Sequence, residues 1–164
     1  MKPLTLIGFM GVGKTTVGKA LSQKLGKPLI DTDQEIVKYE GRSIPEIFAD
    51  SGEAYFRKVE SSILEDQMDK DLIISTGGGI VTNERSREYL KNFFHNFWLD
   101  ASLEVVEKRI SDDEERPLWK VKREARIELF NKRRKLYEAV ADHRISVDHL
   151  EVNELVEEIS KLYL

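Results

Sequence analysis

Residues 8–15 read Gly-Phe-Met-Gly-Val-Gly-Lys-Thr, the spacing G-x-x-x-x-G-K-[ST]. Glycines so placed let the backbone wrap a phosphate chain with successive N–H groups pointing inward, beside a helix N-terminus that favours negative charge. Lys14 is then positioned to reach the β- and γ-phosphates, and the Thr15 hydroxyl to ligate Mg²⁺. The flanks suit this chemistry. Leu4-Thr5-Leu6-Ile7 is an apolar run fit for a buried strand, while Val17, Leu21 and Leu25 recur every four residues on one helical face. Strand, glycine loop and helix in that order separate this pattern from a glycine turn in an ordinary βα unit. The chain is expected to bind a nucleoside triphosphate.

Other residues fall where partners of such a ligand would stand. Asp31-Thr32-Asp33 ends a second candidate strand, at the edge of an open α/β sheet where ligands bind. Two carboxylates spaced i, i+2 can divide labour. Asp31 would hold waters of a Mg²⁺ shell and Asp33 would accept hydrogen bonds from a substrate hydroxyl, unless Asp33 only caps the next helix. Arg57 and Glu60, three apart in a helical stretch, can pair and fix a guanidinium for bidentate capture of a carboxylate. The bland reading of that pair is a solvated ion pair worth little. Gly77-Gly78-Gly79 follows a third strand and permits close backbone approach to a ligand. Arg116, within a charged stretch that has no helical stripe, could neutralise charge developing on a transferred phosphoryl group. The run Lys132-Arg133-Arg134-Lys135 has the usual look of a solvated helix face.

A phosphate loop alone does not define a function. The Asn-Lys-x-Asp guanine reader of GTPases is missing, since Asn131-Lys132-Arg133-Arg134 has no aspartate, and the protein-kinase motifs are absent. Small-molecule kinases remain. A net charge of −4 argues against a general nucleic-acid binder. The absence of cysteine excludes disulfides and thiolate metal sites and suits a reducing cytoplasm. Apolar runs are strand-length, too short for a membrane span, and Met1-Lys2-Pro3 leads straight into the first strand, so no signal peptide is expected. His95, His143 and His149 lack metal-ligand spacing and read as surface or strand-edge residues.

Elements to position these residues are legible along the 164-residue chain. Strands are expected at 4–7, 28–31, 72–75, 96–99 and 144–147, with helices over roughly 15–25, 33–40, 45–50, 53–68, 83–93, 102–110, 123–141 and 153–163. This alternation predicts an α/β fold: one domain of three layers, with a central parallel sheet of about five strands and helices on both faces. Ser43, with Pro45 and Glu46 behind it, marks a helix start; Asn83 and Asn153 read as two more. Gly26, Gly41 and Gly52 punctuate helix ends. Trp98, Leu129, Phe130, Leu136, Tyr137 and Val140 read as core. Two stretches exceed a simple crossover: 32–68 reads as a substrate-binding insertion and 111–122 as a lid that excludes water from the transfer.

Taken together, the motifs resemble those of the shikimate kinase family over nearly the whole chain. The order is phosphate loop, Asp-Thr-Asp, Gly-Glu-x-x-Phe-Arg-x-x-Glu, Gly-Gly-Gly, Arg-Pro-Leu and Arg-x-x-Leu-Tyr at 133–137. The resemblance implies a P-loop kinase fold and transfer of the ATP γ-phosphoryl group to the 3-hydroxyl of shikimate. It implies that Gly11, Val12, Gly13, Lys14, Thr15 and Thr16 hold the ATP phosphates, with Mg²⁺ on Thr15 and, through water, Asp31. By the same resemblance Asp33 binds and orients the substrate hydroxyls, while Arg57 and Arg133 clamp the carboxylate and Gly77, Gly78 and Gly79 line the pocket. Arg116 closes over the phosphates and Arg109 stacks on adenine. Lys14, Asp33 and Arg116 are thus the implied catalytic residues. The chain departs from the family at Trp119, where an aliphatic is usual, and at 149–153, which lacks the proline common against adenine.

Two other functions fit a phosphate loop: another small-molecule kinase such as gluconate kinase, or a non-catalytic nucleotide sensor. The first has no need of two carboxylate-clamping arginines beside a triple glycine, and the second would be expected to have lost a catalytic position. The expectation is a cytoplasmic monomer that takes shikimate and ATP, with no nucleic-acid or membrane partner.

Overall fold

The computed structural model describes residues 1–110 and 122–164. Arg116, Trp119 and all but the last residue of the expected lid lie outside the described residues. Among the described residues five strands, β1 (Leu4–Ile7), β2 (Leu29–Asp31), β3 (Ile73–Ser75), β4 (His95–Asp100) and β5 (His143–Ser146), form one sheet in the order β2-β3-β1-β4-β5. Every pairing is parallel, with Leu4 opposite both Ile73 and His95. The central strands are buried along nearly their whole length because helices cover both faces; Leu4, Leu6, Ile73, Ile74, Phe97 and Leu99 have no exposed surface. The expected strands are all present, displaced by a residue or so.

Among the described residues seven α-helices accompany them: α1 (Lys14–Leu25), α2 (Thr32–Glu40), α3 (Ile44–Glu65), α4 (Glu84–Phe93), α5 (Leu103–Ile110), α6 (Arg123–Val140) and α7 (Val152–Tyr163). α1 packs with α7, and α4 with α3 and α6. Helix α3 joins the two segments expected at 45–50 and 53–68; Gly52 breaks it with φ 85°, and it ends at Glu65. Its partner is α2. Ile36, Ile47, Phe56 and Val59 form a small core between the two, separate from the main one.

Capping follows the sequence with one correction. Ser43 Oγ accepts from Glu46 N, and Asn83 Oδ1 accepts from Arg85 N and Ser86 N. Asn153, however, does not open α7. Glu151 does, in a reciprocal box with Glu154, whose carboxylate accepts from Glu151 N at 3.0 Å. A glutamate long enough to reach the N3 amide takes the position that sequence preference gives to asparagine. In the sheet, Asn96 holds β4 to its surroundings. Its amide nitrogen donates to Leu90 O (2.8 Å) and Val140 O (3.1 Å), and its oxygen accepts from Thr5 Oγ1. A fully buried amide is thereby satisfied from three directions.

Candidate active site

The C-terminal ends of β1, β2 and β3 bring the chemically interesting residues to one edge. After β1 the chain turns through the glycine loop into α1, whose N-cap Gly13 sits at φ 101°, a conformation closed to most side chains. Lys14 folds back over the loop, and its ammonium donates to Gly8 O and, at 3.0 Å, to Phe9 O. Thr15 Oγ1 donates to Asp31 Oδ2 at 3.2 Å and lies 3.5 Å from Ser75 Oγ. This is a group of hard oxygens of the kind Mg²⁺ takes, sparing its remaining positions for water and phosphate, so the residues fit that ion. Ser75 was not foreseen here; only its register opposite Asp31 brings it in.

Asp31, not Asp33, caps α2, accepting from Asp33 N (2.9 Å) and Gln34 N (3.2 Å). Asp33 instead lines the cleft. It faces the triple glycine so closely that a Cβ on Gly77 would stand 2.7 Å from Asp33 Oδ1. The glycine segment itself is pinned. Gly77 N donates to Thr32 Oγ1 at 2.9 Å, Thr76 Oγ1 to Leu6 O at 2.8 Å, and the Tyr137 hydroxyl to Gly78 O. Tyr137, read from sequence as core, and Thr32, read as a strand end, therefore both shape the site.

Arg57 and Glu60 form an ion pair at 2.9 Å, and Glu60 has no exposed surface. The solvated alternative is excluded. Burial pushes the Glu60 carboxyl up to about 7, against the opposing pull of Arg57. Arg133 departs from the solvated face expected of 132–135: Lys132 and Lys135 are exposed, but Arg133 is 2% exposed, over the Phe9 ring at 5.7 Å. One helical turn holds outward lysines and an inward arginine, which composition cannot distinguish. Burial lowers the Arg133 pKa from its ordinary value.

Both guanidiniums abut the glycines. A Cβ on Gly79 would overlap that of Arg57, and one on Gly78 would lie 3.6 Å from Arg133 Nη1. Among the described residues, Arg57 Nε, Glu60 Oε2, Arg133 Nε and Arg133 Nη1 are buried without a hydrogen-bond partner. Buried donors without partners are costly, and two arginines so disposed suit a planar anion such as a carboxylate.

A cleft of about 1150 Å³ runs from the phosphate loop to Gly77 and Gly78, with Asp31 and Asp33 also in its wall. Its other end is lined by Arg109, Val147, Leu150 and Val152. Arg109 Nη1 donates to Val12 O at 2.8 Å, which lays it across the loop. The segment without proline thus presents aliphatic side chains beside that arginine.

The model of the shikimate kinase family matches residues 10–163. A shikimate kinase of Persephonella marina is 45% identical over 97% of this chain and 97% of its own. A solved shikimate kinase of Acinetobacter baumannii in complex with shikimate is 34% identical, with a TM-score of 0.93 over 99% of this chain and 93% of that one. A gluconokinase of Sinorhizobium meliloti, 15% identical with a TM-score of 0.53, shares the fold alone.

Proposed function

Because the chain belongs to the shikimate kinase family, an ATP-dependent phosphotransferase family, we propose that its substrates meet between the phosphate loop and the Gly77–Gly79 segment, where the γ-phosphoryl group of ATP passes to the 3-hydroxyl of shikimate. One observation carries this reading: Asp33, Arg57 and Arg133, from three different helices, converge on three consecutive glycines. A small anionic polyol needs that set. The arginines take its carboxylate and Asp33 takes its hydroxyls, aligning the attacking oxygen and accepting its hydrogen bond. Glu60 holds Arg57 in place. Gly77, Gly78 and Gly79 leave room for the ring.

On the nucleotide side, the amides of Gly11 to Thr16 and the Lys14 ammonium receive the phosphates. Arg109, with Val147, Leu150 and Val152, receives the base. Thr15 and Asp31 would hold Mg²⁺, which supplies neutralisation of phosphate charge when bound. Positioning and charge neutralisation supply most of the rate in phosphoryl transfer. Residues 32–68 act as the substrate-binding insertion of a single domain, and 111–122, with Arg116, as its lid. Among the described residues no helix is long and apolar enough to cross a membrane.

ADP release tests the reading. Purified protein with ATP and Mg²⁺ is expected to turn over with shikimate, not with gluconate or without acceptor, and Lys14→Ala to abolish it. Turnover with gluconate would overturn the substrate; acceptor-independent hydrolysis would point to a nucleotide sensor.

A further inference from the structure

Far from the phosphate loop, at the opposite edge of the sheet, two imidazoles meet. His95 opens β4 and His143 opens β5, and parallel strands begin at the same edge. Phe97 pairs with His143 in register and lies two residues from His95, so all three side chains rise from one face. The Nε2 atoms of the two histidines stand 3.1 Å apart. Phe97 stacks on both, with ring centroids 4.9 Å from His95 and 5.0 Å from His143. Tyr163 of α7 adds a wall 5.4 Å from His95, its hydroxyl tied to Lys2 O at 2.8 Å. The rings are therefore held by packing, with both histidines only partly buried.

That separation has a second use besides a shared proton. A first-row divalent ion binds imidazole nitrogen at about 2.0–2.1 Å, so two ligands at right angles lie about 2.9 Å apart and two at a tetrahedral angle about 3.3 Å. The observed distance falls between these values. Imidazole suits Zn²⁺, Cu²⁺ and Ni²⁺, whereas Mg²⁺ prefers oxygen and has the Thr15–Asp31 corner. The Asp142 carboxylate, which accepts from Asn96 N at 2.7 Å, adds negative charge near His95, partly offset by Lys2. We propose that His95 and His143 form a two-histidine site for a borderline transition-metal ion, bridging β4 and β5. The described residues contain no cluster of three or more imidazole or carboxylate donors, so water completes the shell and the ion is exchangeable. Nothing in the 90s or 140s of the sequence announces such a site, because the two ligands are 48 residues apart and meet only through strand pairing.

The test uses the full chain without an affinity tag, titrated with Ni²⁺ by calorimetry. Wild type is expected to bind one ion, with affinity reduced at least tenfold in His95→Gln and in His143→Gln and unchanged in His149→Gln. Ni²⁺ should raise the thermal midpoint of wild type and not of the first two variants, since an ion bound only to the folded state stabilises it. Shikimate-dependent ADP release, preserved in both variants, verifies their fold. Electron paramagnetic resonance of wild type with one equivalent of Cu²⁺ needs no variant and should show coupling to two imidazole nitrogens. Unchanged Ni²⁺ affinity in His143→Gln, loss of binding in His149→Gln, no binding at all, or coupling to fewer than two imidazoles would overturn the site and leave a purely structural imidazole contact.

Discussion

Asp31 and Thr15 are joined across the ends of two adjacent elements: Thr15 Oγ1, in the first turn of α1, donates to Asp31 Oδ2 at 3.2 Å. The other Asp31 oxygen caps α2 by accepting from the amides of Asp33 and Gln34. A single carboxylate therefore ties the hydroxyl of the phosphate loop to the start of the helix that carries Asp33. The phosphate loop and the start of α2 are registered to one another through it.

The two duties separate by substitution. Asn caps helices as well as Asp does, so Asp31→Asn should keep stability within about 0.5 kcal/mol, whereas Asp31→Ala should lose about 1 kcal/mol with the cap. Both remove the negative charge beside Thr15. Both should therefore raise the Mg²⁺ concentration needed for half-maximal activity, and chemical denaturation alongside Mg²⁺-dependent kinetics checks the split. Normal Mg²⁺ dependence in Asp31→Asn would refute the metal role.

Glu60 sets a pH dependence. Its carboxyl is raised to about 7 by burial, so between the ordinary carboxylate value of 4.5 and about 7 the folded state binds more protons there than the unfolded state. A raised carboxyl contributes least at high pH: its contribution to stability falls as pH rises through that window. Glu60→Gln removes the titration, so the stability of wild type relative to this variant should decline from pH 5 to pH 8. Denaturant midpoints of both proteins at several pH values measure it, and a difference that stays flat or grows with pH would reject the assignment. The same variant, by loosening Arg57, should raise KM for shikimate about tenfold, near 1.4 kcal/mol of binding, with KM for ATP little changed.

Gly79 is where a methyl group should act most locally. Its added Cβ would overlap the Arg57 guanidinium, which must then move away from the glycines. Gly79→Ala is expected to raise KM for shikimate by more than tenfold, about 1.4 kcal/mol or more. ATP affinity should hold, because the phosphate loop lies outside that contact. Equal losses toward both substrates in steady-state kinetics would show that the glycines do not act through the arginine.

Those contacts also mark the limit of what sequence discloses. The phosphate loop, the strand ends and most caps were legible because each is a local pattern: Gly13, Lys14 and Thr15 are adjacent, and Ser43 caps an amide three residues on. Asp33 and Arg57 could be singled out by type and spacing. Their convergence could not, since it depends on α2 and α3 packing through Ile36 and Phe56. The basic run at 132–135 was only half legible for a related reason: Lys132 and Lys135 are exposed as its composition suggests, whereas Arg133, singled out by the family resemblance alone, is buried. Four consecutive cations spread around a full helical turn, and only the position of α6 beside the Gly77–Gly79 segment decides that Arg133 faces inward. Glu151 replaced Asn153 as the cap because capping preference is a ranking, which a longer carboxylate overrides when a reciprocal partner such as Glu154 is available.

Asn96 should show stability and catalysis coming apart. It is buried near the start of β4, away from the strand ends that carry the site, and serves Thr5, Leu90 and Val140 at once. Asn96→Ala would leave a hydroxyl and two carbonyls buried without that partner, each costing about 1 kcal/mol or more. A loss of about 3 kcal/mol in a chain of this size corresponds to roughly 6–12 °C in Tm. Calorimetry is expected to show that drop. Below the transition, kcat and both KM values should match wild type, because the lost bonds brace β4 and not the strand ends that carry the site. A kcat reduced several-fold in the fully folded variant would mean that the brace extends to the cleft.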